Sequence, residues 1–202
     1  MTEHPQRHRI DVEKMQAMIR ERELRDSLVA EFEATLRDRI SRFMEINHHW
    51  VIPNTHFASV SRECIVLFRD GYYFGCISLV QAVSEAMVRF LCEQNGIRRA
   101  KSFETNLMRL KDTKNAPVFS GKTYDAFIGI WEGRDDYHHL NPGIPTENAD
   151  LERIARKKLL LLMEVEKDVF GVEVKEGILH LNHPNNWDVD GDKANVYLMI
   201  EP

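Results

Sequence analysis

The stretch YYFGCISLVQAVSEAMVRFLCEQNG, residues 72–96, is apolar on almost every side when it is read as an α-helix. A helix without a continuous polar face is one that other elements surround, so this segment predicts the central helix of a bundle. Gly96 predicts its end, because glycine readily adopts the left-handed conformation that closes many helices. The expected fold is therefore all-α and is built around residues 72–96.

The few polar residues of this segment follow a helical spacing. Ser78, Gln81, Glu85 and Arg89 are three, four and four positions apart, so they share one side of the helix. We interpret this stripe as a solvated strip that carries a Glu85–Arg89 ion pair. The alternative is that the stripe faces a polar site.

Helical patterns continue on both sides of the central segment. Between residues 10 and 44 apolar side chains recur every four positions, which predicts one long amphipathic helix. For the last helix, Thr146 and Asn148 are candidate N-caps, since their side-chain oxygens can accept a bond from a free backbone N–H group. The predicted helices cover residues 10–44, 57–69, 72–96, 102–111, 123–139 and 147–170.

The C-terminal tail has a different pattern. Residues 171–183 predict two short strands around Glu176–Gly177, and residues 194–201 predict a third. About thirty residues are too few to form a core of their own. We therefore divide the chain into a helical bundle, residues 1–170, and a small β appendage, residues 171–202, that packs on the bundle or on a neighbouring subunit.

The charge of the chain limits the ways in which it could bind nucleic acid. The 202 residues have a net charge of −5, whereas proteins that coat nucleic acid nonspecifically are usually strongly basic. Any contact with nucleic acid must therefore be local. The two denser basic stretches, residues 97–101 and 152–158, are interpreted as solvated helix faces rather than as binding patches.

No feature of the sequence predicts export, a membrane anchor or a bound metal. Cys64, Cys76 and Cys92 lie in apolar helical patterns, as reduced thiols of a cytoplasmic protein do, and the N-terminal residues lack the apolar core of a signal peptide. Glu45-x-x-His48 matches half of the di-metal signature of helical bundles, but the sequence has no second copy. We expect a cytoplasmic protein without a membrane span, a metal or a cofactor.

The stretch WEGRDDYHHLNPG, residues 131–143, puts charged residues where the helical period predicts burial. In the helix predicted over 123–139, the apolar face consists of Tyr124, Phe127, Ile130 and Trp131. The same register continues to Arg134, Asp135 and His138. A buried guanidinium needs a carboxylate, a carbonyl or a ligand anion as its partner, because an unpaired buried charge is costly.

Two interpretations of this arginine are open. In the first, Arg134 and Asp135 form a buried ion pair that only ties helices together. In the second, the arginine holds a phosphate group and a nearby imidazole moves protons at neutral pH. These two groups suffice to cleave RNA, because the ribose 2′-hydroxyl is the nucleophile and the protein need only move protons and stabilise charge on the phosphate.

The residues RDDYHH, 134–139, resemble the R-x4–6-H motif of HEPN domains (higher eukaryotes and prokaryotes nucleotide-binding). The family motif often has a polar residue after the arginine, usually asparagine, where this chain has Asp135. The setting is also similar: a helical bundle, a preceding apolar helix with an internal glutamate, here Glu85, and a motif near a helix end. The similarity covers about residues 20–170 and does not include the β-tail.

The resemblance implies an up-and-down helical bundle that acts as a metal-independent endoribonuclease. Two Arg–His pairs would face each other across a homodimer interface and cleave an RNA substrate, as in toxin–antitoxin or phage-defence systems. An antitoxin or another regulatory protein would be a further partner.

The resemblance also implies roles for individual side chains. Arg134 would stabilise the phosphate, and Asp135 would orient the arginine or a histidine. The family spacing selects His139 as the proton carrier, whereas an ideal helix brings His138 beside Arg134. Loosening of the last turn would rotate His139 inward, so His139 is preferred and His138 is kept as the second choice. Tyr137 would contact the substrate, and Glu85 would support the site.

Two other functions remain compatible with the sequence. A noncatalytic HEPN-like module would bind a nucleotide or a partner protein without turnover, and the aspartate at position 135 favours this alternative. A plain helical interaction domain would use Arg134 and Asp135 only as a buried ion pair.

Overall fold

The computed structural model of the chain describes residues 12–46, 51–52, 54–113, 118–176, 178–187, 189–190, 193–194 and 197–198. This part of the chain is mostly helical, which confirms the all-α prediction. The helices are α1 (Val12–Glu45), α2 (Thr55–Arg69), α3 (Tyr73–Gln94), α4 (Phe103–Lys111), α5 (Gly121–Trp131), α6 (Arg134–His139) and α7 (Asn148–Val169). The strands are β1 (Val51–Ile52), β2 (Val172–Lys175), β3 (Ile178–Leu181), β4 (Val189–Asp190), β5 (Lys193–Ala194) and β6 (Tyr197–Leu198), and a 3₁₀ turn covers Pro184–Asn186.

Helix α3 is the centre of the helical core, as its apolar sequence predicts. It contacts α2, α4, α5, α6 and α7. Residues along its whole length are buried, among them Cys76, Val80, Met87 and Leu91. By length and composition alone α3 is apolar enough to cross a membrane. Half of its most apolar 18-residue stretch is buried inside the protein, however. The contacts with its neighbours account for the apolar composition.

Side-chain caps define the first residues of several helices. Asn54 accepts a hydrogen bond from the N–H of Phe57, and Ser102 and Ser120 cap α4 and α5 in the same way. The N-cap of α7 differs from the prediction. It is Glu147, without a side-chain capping bond, rather than Thr146 or Asn148. The acidic residues Glu147 and Asp150 still put negative charge at the positive end of the helix dipole.

The chain divides into two compact units between Ser41 and Arg42. In the first unit, α1 has no buried residue, and every residue from 12 to 38 is exposed. In the second unit, the last turn of α1 is tied to the core, because Arg42 Nε donates to the carbonyl of Arg69 at 2.9 Å.

The β-tail forms short antiparallel pairs. Strands β2 and β3 make the expected hairpin, in which Val172 lies opposite Leu181. Strand β6 pairs with β1, which the sequence did not predict as a strand. Of the strand predicted over 194–201, the structure describes only residues 194, 197 and 198, and the others lie outside the described residues. The tail packs on the helices, since the buried Asn186 donates to the carbonyl of Val169 at 2.9 Å.

The three cysteines are buried and free, as predicted. Burial raises the pKa of the Cys64 and Cys92 thiols and raises that of Cys76 to about 12. A thiol in an apolar environment keeps its proton and is a poor nucleophile, so these residues belong to the core rather than to a reactive site.

Candidate active site around helix α6

The charged motif lies on a short helix of its own. A single helix was predicted over residues 123–139, and this prediction is wrong. Helix α5 ends at Trp131, Gly133 has a φ of +69°, and α6 begins at Arg134. A left-handed residue cannot continue a right-handed helix, so Gly133 turns the chain and resets the helical register for everything after it.

Two buried polar side chains hold this break in place. The Lys158 ammonium on α7 donates to the carbonyls of Ile130 and Glu132, both at 2.7 Å. The Gln81 amide on α3 donates to the carbonyl of Ile130 at 3.2 Å. The last carbonyls of a helix have no partner within the helix, so these contacts satisfy acceptors that the break leaves open. Burial lowers the pKa of Lys158 to about 8, and the nearby Glu132 charge opposes that shift.

The sequence did not identify these two residues as part of the site. Lys158 lies in the basic stretch 152–158 that was interpreted as a solvated face, yet it is only 4% exposed. Gln81 belongs to the polar stripe of α3 that was also interpreted as solvated, and it is fully buried. The sequence did contain a signal for Gln81, because the helical spacing of the polar stripe also allowed the stripe to face a polar site.

The new register changes the environment of Arg134. The expectation that Arg134, Asp135 and His138 continue the buried face of the preceding helix is wrong. The Arg134 side chain is 31% exposed and that of Asp135 is 78% exposed, and the two form an ion pair at 2.9 Å. The guanidinium lies 5.3 Å from the centre of the Trp131 ring. The arginine is therefore half-buried against an aromatic face and keeps access to solvent.

Tyr137 takes the buried position of α6 instead. It is 6% exposed, and its ring packs against Phe74 of α3 with the centroids 5.8 Å apart. Burial raises the pKa of its phenol. The family resemblance implied a substrate contact for Tyr137, whereas in the structure its ring anchors α6 to the core.

His138 and His139 are both exposed at the end of α6. The pKa of His138 is lowered, first by partial burial and then by the positive charge of Arg134, while Glu85 acts in the opposite direction. Positions 134 and 138 are one helical turn apart, so the two side chains share one side of the helix. At neutral pH the lowered pKa leaves the His138 imidazole mostly unprotonated and able to accept a proton.

Helix α6 ends without the loosening that would rotate His139 toward Arg134. The helix continues through His139, and Leu140 then closes it with a φ of +52°. The Asn141 amide donates to the carboxylate of Asp136 at 2.8 Å and holds the chain after the cap. The geometry of the last turn therefore pairs Arg134 with His138 and directs His139 to another side of the helix.

Glu85 connects α3 to this group. It forms the predicted ion pair with Arg89 and is partly exposed. Its negative charge also acts on His138, where it raises the pKa of the imidazole and so opposes the net lowering. The stripe of α3 therefore carries the expected Glu85–Arg89 ion pair, and the charge of Glu85 also acts on His138, but the stripe is not solvated throughout because Gln81 is buried.

A cleft of about 250 Å³ is lined by Glu85 and its neighbours on α3, by the segment before α4 and by the first turn of α4. Arg89, Arg99 and Lys101 line it together with Glu85, so its lining has a net positive charge in a chain that is acidic overall. Arg89 pairs with Glu85, and Arg99 pairs with Glu93 at 3.1 Å. Phe103 also lines the cleft, and its ring stacks on Trp131 with the centroids 4.0 Å apart. The stacked rings link the basic cleft to Arg134.

Within the described part of the chain, no three His, Cys, Asp or Glu side chains gather closely enough to hold a metal ion. His48, from the half-signature Glu45-x-x-His48, lies outside the described residues.

Comparisons with known proteins found no counterpart: no protein-family model, curated protein or solved structure matches the chain.

Proposed function

We propose that the chain is a metal-independent endoribonuclease of the HEPN type, with its site on α6. Arg134 binds and stabilises the scissile phosphate, and His138 acts as the proton carrier beside it. His139 is the second candidate for that role. Asp135 orients the Arg134 guanidinium, and Glu85 supports the site from α3.

One observation carries this proposal: the Arg134 guanidinium and the His138 imidazole lie on the same exposed side of α6, a short helix that is fixed to the core. The Arg134 guanidinium is half-exposed, and a lowered pKa keeps the His138 imidazole in its basic form. The helix is held on its buried side by Tyr137 and at its start by the contacts of Gln81 and Lys158. A fixed geometry of this kind reduces the cost of orienting catalytic groups.

The reaction follows from the two groups. The His138 imidazole takes the proton of the ribose 2′-hydroxyl, and the 2′-oxygen attacks the adjacent phosphorus. Arg134 donates hydrogen bonds to the nonbridging oxygens, where negative charge builds up. The bond from phosphorus to the 5′-oxygen breaks, and a second imidazole supplies the proton that this oxygen takes up. The products are a 2′,3′-cyclic phosphate and a 5′-hydroxyl end.

A homodimer would supply the second proton carrier from the partner subunit's motif. It would also double the local positive charge, because two copies of the cleft formed by Arg89, Arg99 and Lys101 would flank the RNA. An acidic chain could then bind RNA at one local site.

The test is incubation of the purified protein with a mixed RNA pool in the presence of EDTA. The expected result is cleavage that leaves 2′,3′-cyclic phosphate ends and that is lost in Arg134→Ala. Circular dichroism checks that this variant is folded. His138→Ala and His139→Ala then separate the two imidazoles, and we expect the greater loss, about 100-fold or more, in His138→Ala. Cleavage that persists in folded Arg134→Ala would refute the proposed site.

One observation favours a second candidate, a module that binds a nucleotide or a protein without turnover. Asp135 stands where the family usually has asparagine, and its carboxylate pairs with the guanidinium that should hold the phosphate. For such a module, equilibrium binding of a labelled RNA or nucleotide would depend on Arg134, and no cleavage products would form.

A further inference from the structure

Helix α1 exposes an apolar face. Leu24, Leu28, Phe32 and Leu36 are 62%, 56%, 47% and 37% exposed, and all residues from 12 to 38 are exposed. Helices are only marginally stable in water unless an apolar face is buried against another element. A 34-residue helix with these side chains in water is therefore expected to have a partner.

Two of the charges on this face, Glu21 and Arg39, lie symmetrically about Ala30, whereas Arg25 on the same face has the uncharged Thr35 at the symmetric position. Glu21 lies nine positions before Ala30 and Arg39 nine positions after it. Eighteen residues make five full turns at about 100° per residue, so Glu21 and Arg39 lie on the same line along the helix. Leu24 and Leu28 lie within about 60° to one side of this line, and Phe32 and Leu36 lie at matching angles on the other.

We propose that this face of α1 binds the same face of a second copy of the chain in antiparallel orientation. A two-fold axis through the level of Ala30 places Leu24 opposite the partner's Leu36 and Leu28 opposite the partner's Phe32. It places Glu21 opposite the partner's Arg39, and the same pair forms again at the other end. The interface is isologous, with an apolar seam between two identical ion pairs.

The charges select this orientation over a parallel one. In a parallel pair in register, Glu21 would meet the partner's Glu21, and Arg39 would meet the partner's Arg39. Like charges that face each other destabilise a helix pair, whereas opposite charges set partner choice and orientation. In the single chain the Arg39 guanidinium lies 4.7 Å from the centre of the Phe32 ring, so it is already on the proposed face.

Charge reversal tests the pairing by sedimentation equilibrium of the full chain. Glu21→Arg and Arg39→Glu should each raise the dimer dissociation constant by about tenfold or more, because each puts two like-charge pairs into the interface. The double variant should restore the wild-type value. An equimolar mixture of the two single variants should form heterodimers, since the residues at positions 21 and 39 of one chain then face opposite charges on the other.

The opposite side of α1 supplies the matched control. Glu23 and Arg37 are also symmetric about Ala30, but they lie about 160–200° from the line through Glu21. Glu23→Arg and Arg37→Glu change the net charge by the same amounts and should leave the dissociation constant unchanged. A monomer at all concentrations, or a dimer that responds equally to both sets of variants or to neither, would overturn the proposal.

Spin labels test the orientation. In Ser27→Cys and Ser41→Cys, labels should lie about 9 Å and about 33 Å apart along the axes of an antiparallel pair, whereas a parallel pair in register gives no axial offset at either position. The three native thiols are buried and should not take up the label. Equal distances for the two variants would overturn the antiparallel arrangement. This inference does not rest on the nuclease activity, because no residue of the α1 face belongs to the α6 site.

Discussion

Of the neighbouring charges that act on the pKa of His138, the two with the largest effects have opposite signs. Arg134 lowers the pKa of the imidazole and Glu85 raises it. We therefore expect Arg134→Gln to raise the pKa of His138 and Glu85→Gln to lower it. NMR titration of the ring protons measures both shifts without requiring activity. Arg109→Gln is the control, because Arg109 is not among the charges that act on His138.

The same shifts predict a pH profile for the proposed nuclease. The base form of His138 is required, so activity should fall as the pH decreases through its pKa, which lies below the ordinary value of 6.5. In Glu85→Gln this acidic limb should move to lower pH. If the pKa of His138 shifts in the NMR titration but the pH dependence of activity does not, another group transfers the proton. His139 would be the first to test.

At Arg134 the structure predicts a small effect on stability. The side chain is partly exposed, and its ion-pair partner Asp135 is mostly exposed, so the pair is weak in water. Arg134→Ala should lower the free energy of unfolding by about 1 kcal/mol or less, measured by urea denaturation. A loss of several kcal/mol would identify the arginine as a structural residue and favour the plain interaction domain.

At the scale of single elements, the break between α5 and α6 depends on Gly133. Its φ of +69° is unfavourable for a residue with a Cβ atom, although the added atom would meet only ordinary contacts. We expect Gly133→Ala to cost about 1 kcal/mol in urea denaturation. Gly121→Ala is the matched control. It lies at the start of α5 with open space around it, so it should be neutral or slightly stabilising.

Lys158, which binds the carbonyls at this break, should make the free energy of unfolding depend on pH. Its pKa is lowered from 10.5 to about 8, so between these values the folded chain has released a proton that the unfolded chain keeps. The contribution of Lys158 to the free energy of unfolding therefore increases with pH in this window. Lys158→Met should remove that increase and cost about 1–3 kcal/mol at pH 7, because the carbonyls of Ile130 and Glu132 lose their closest donor and keep only the longer bonds from Gln81. Parallel urea titrations at pH 7 and pH 10 measure both effects.

Most helix positions could be predicted from the sequence, because they depend on local signals. Apolar periodicity marks α1 and α2, and α3 is marked by side chains that are apolar on almost every side and by Gly96 after its end. Ser102 caps α4. The break at Gly133 could not be predicted in this way. One glycine inside an apolar pattern is compatible with a continuous helix, and here the break is stabilised by Gln81 and Lys158 from other helices.

The candidate site was predictable only in part for the same reason. The spacing of Arg134 and His138 is local, and their pairing is visible in the sequence. The burial of Tyr137 depends on the register that Gly133 resets, and the burial of Lys158 depends on how α7 packs against the end of α5. The contribution of Glu85 depends on the contact of α3 with α6. Each of these facts requires long-range packing that a periodic pattern does not specify.

At the scale of the whole molecule, the two units should differ in stability. Helix α1 has no buried residue, whereas the core of the second unit encloses α3 and the three thiols. Helical structure without burial is marginal, so α1 should unfold before the core in the monomeric chain. The cysteines should become reactive only when the core opens, because burial keeps their thiols protonated and inaccessible.

Urea titration of the dilute protein tests this order with three signals. Part of the far-UV circular dichroism should be lost first, at a urea concentration where the thiols are still unreactive. Thiol labelling of Cys64, Cys76 and Cys92 and the tryptophan fluorescence should then change together, since all three cysteines and all three tryptophans belong to the second unit. A single transition shared by all the signals would mean that α1 is stabilised by the core. At protein concentrations that favour the proposed dimer, the first transition should move to higher urea, because pairing buries the α1 face and stabilises the helix by mass action.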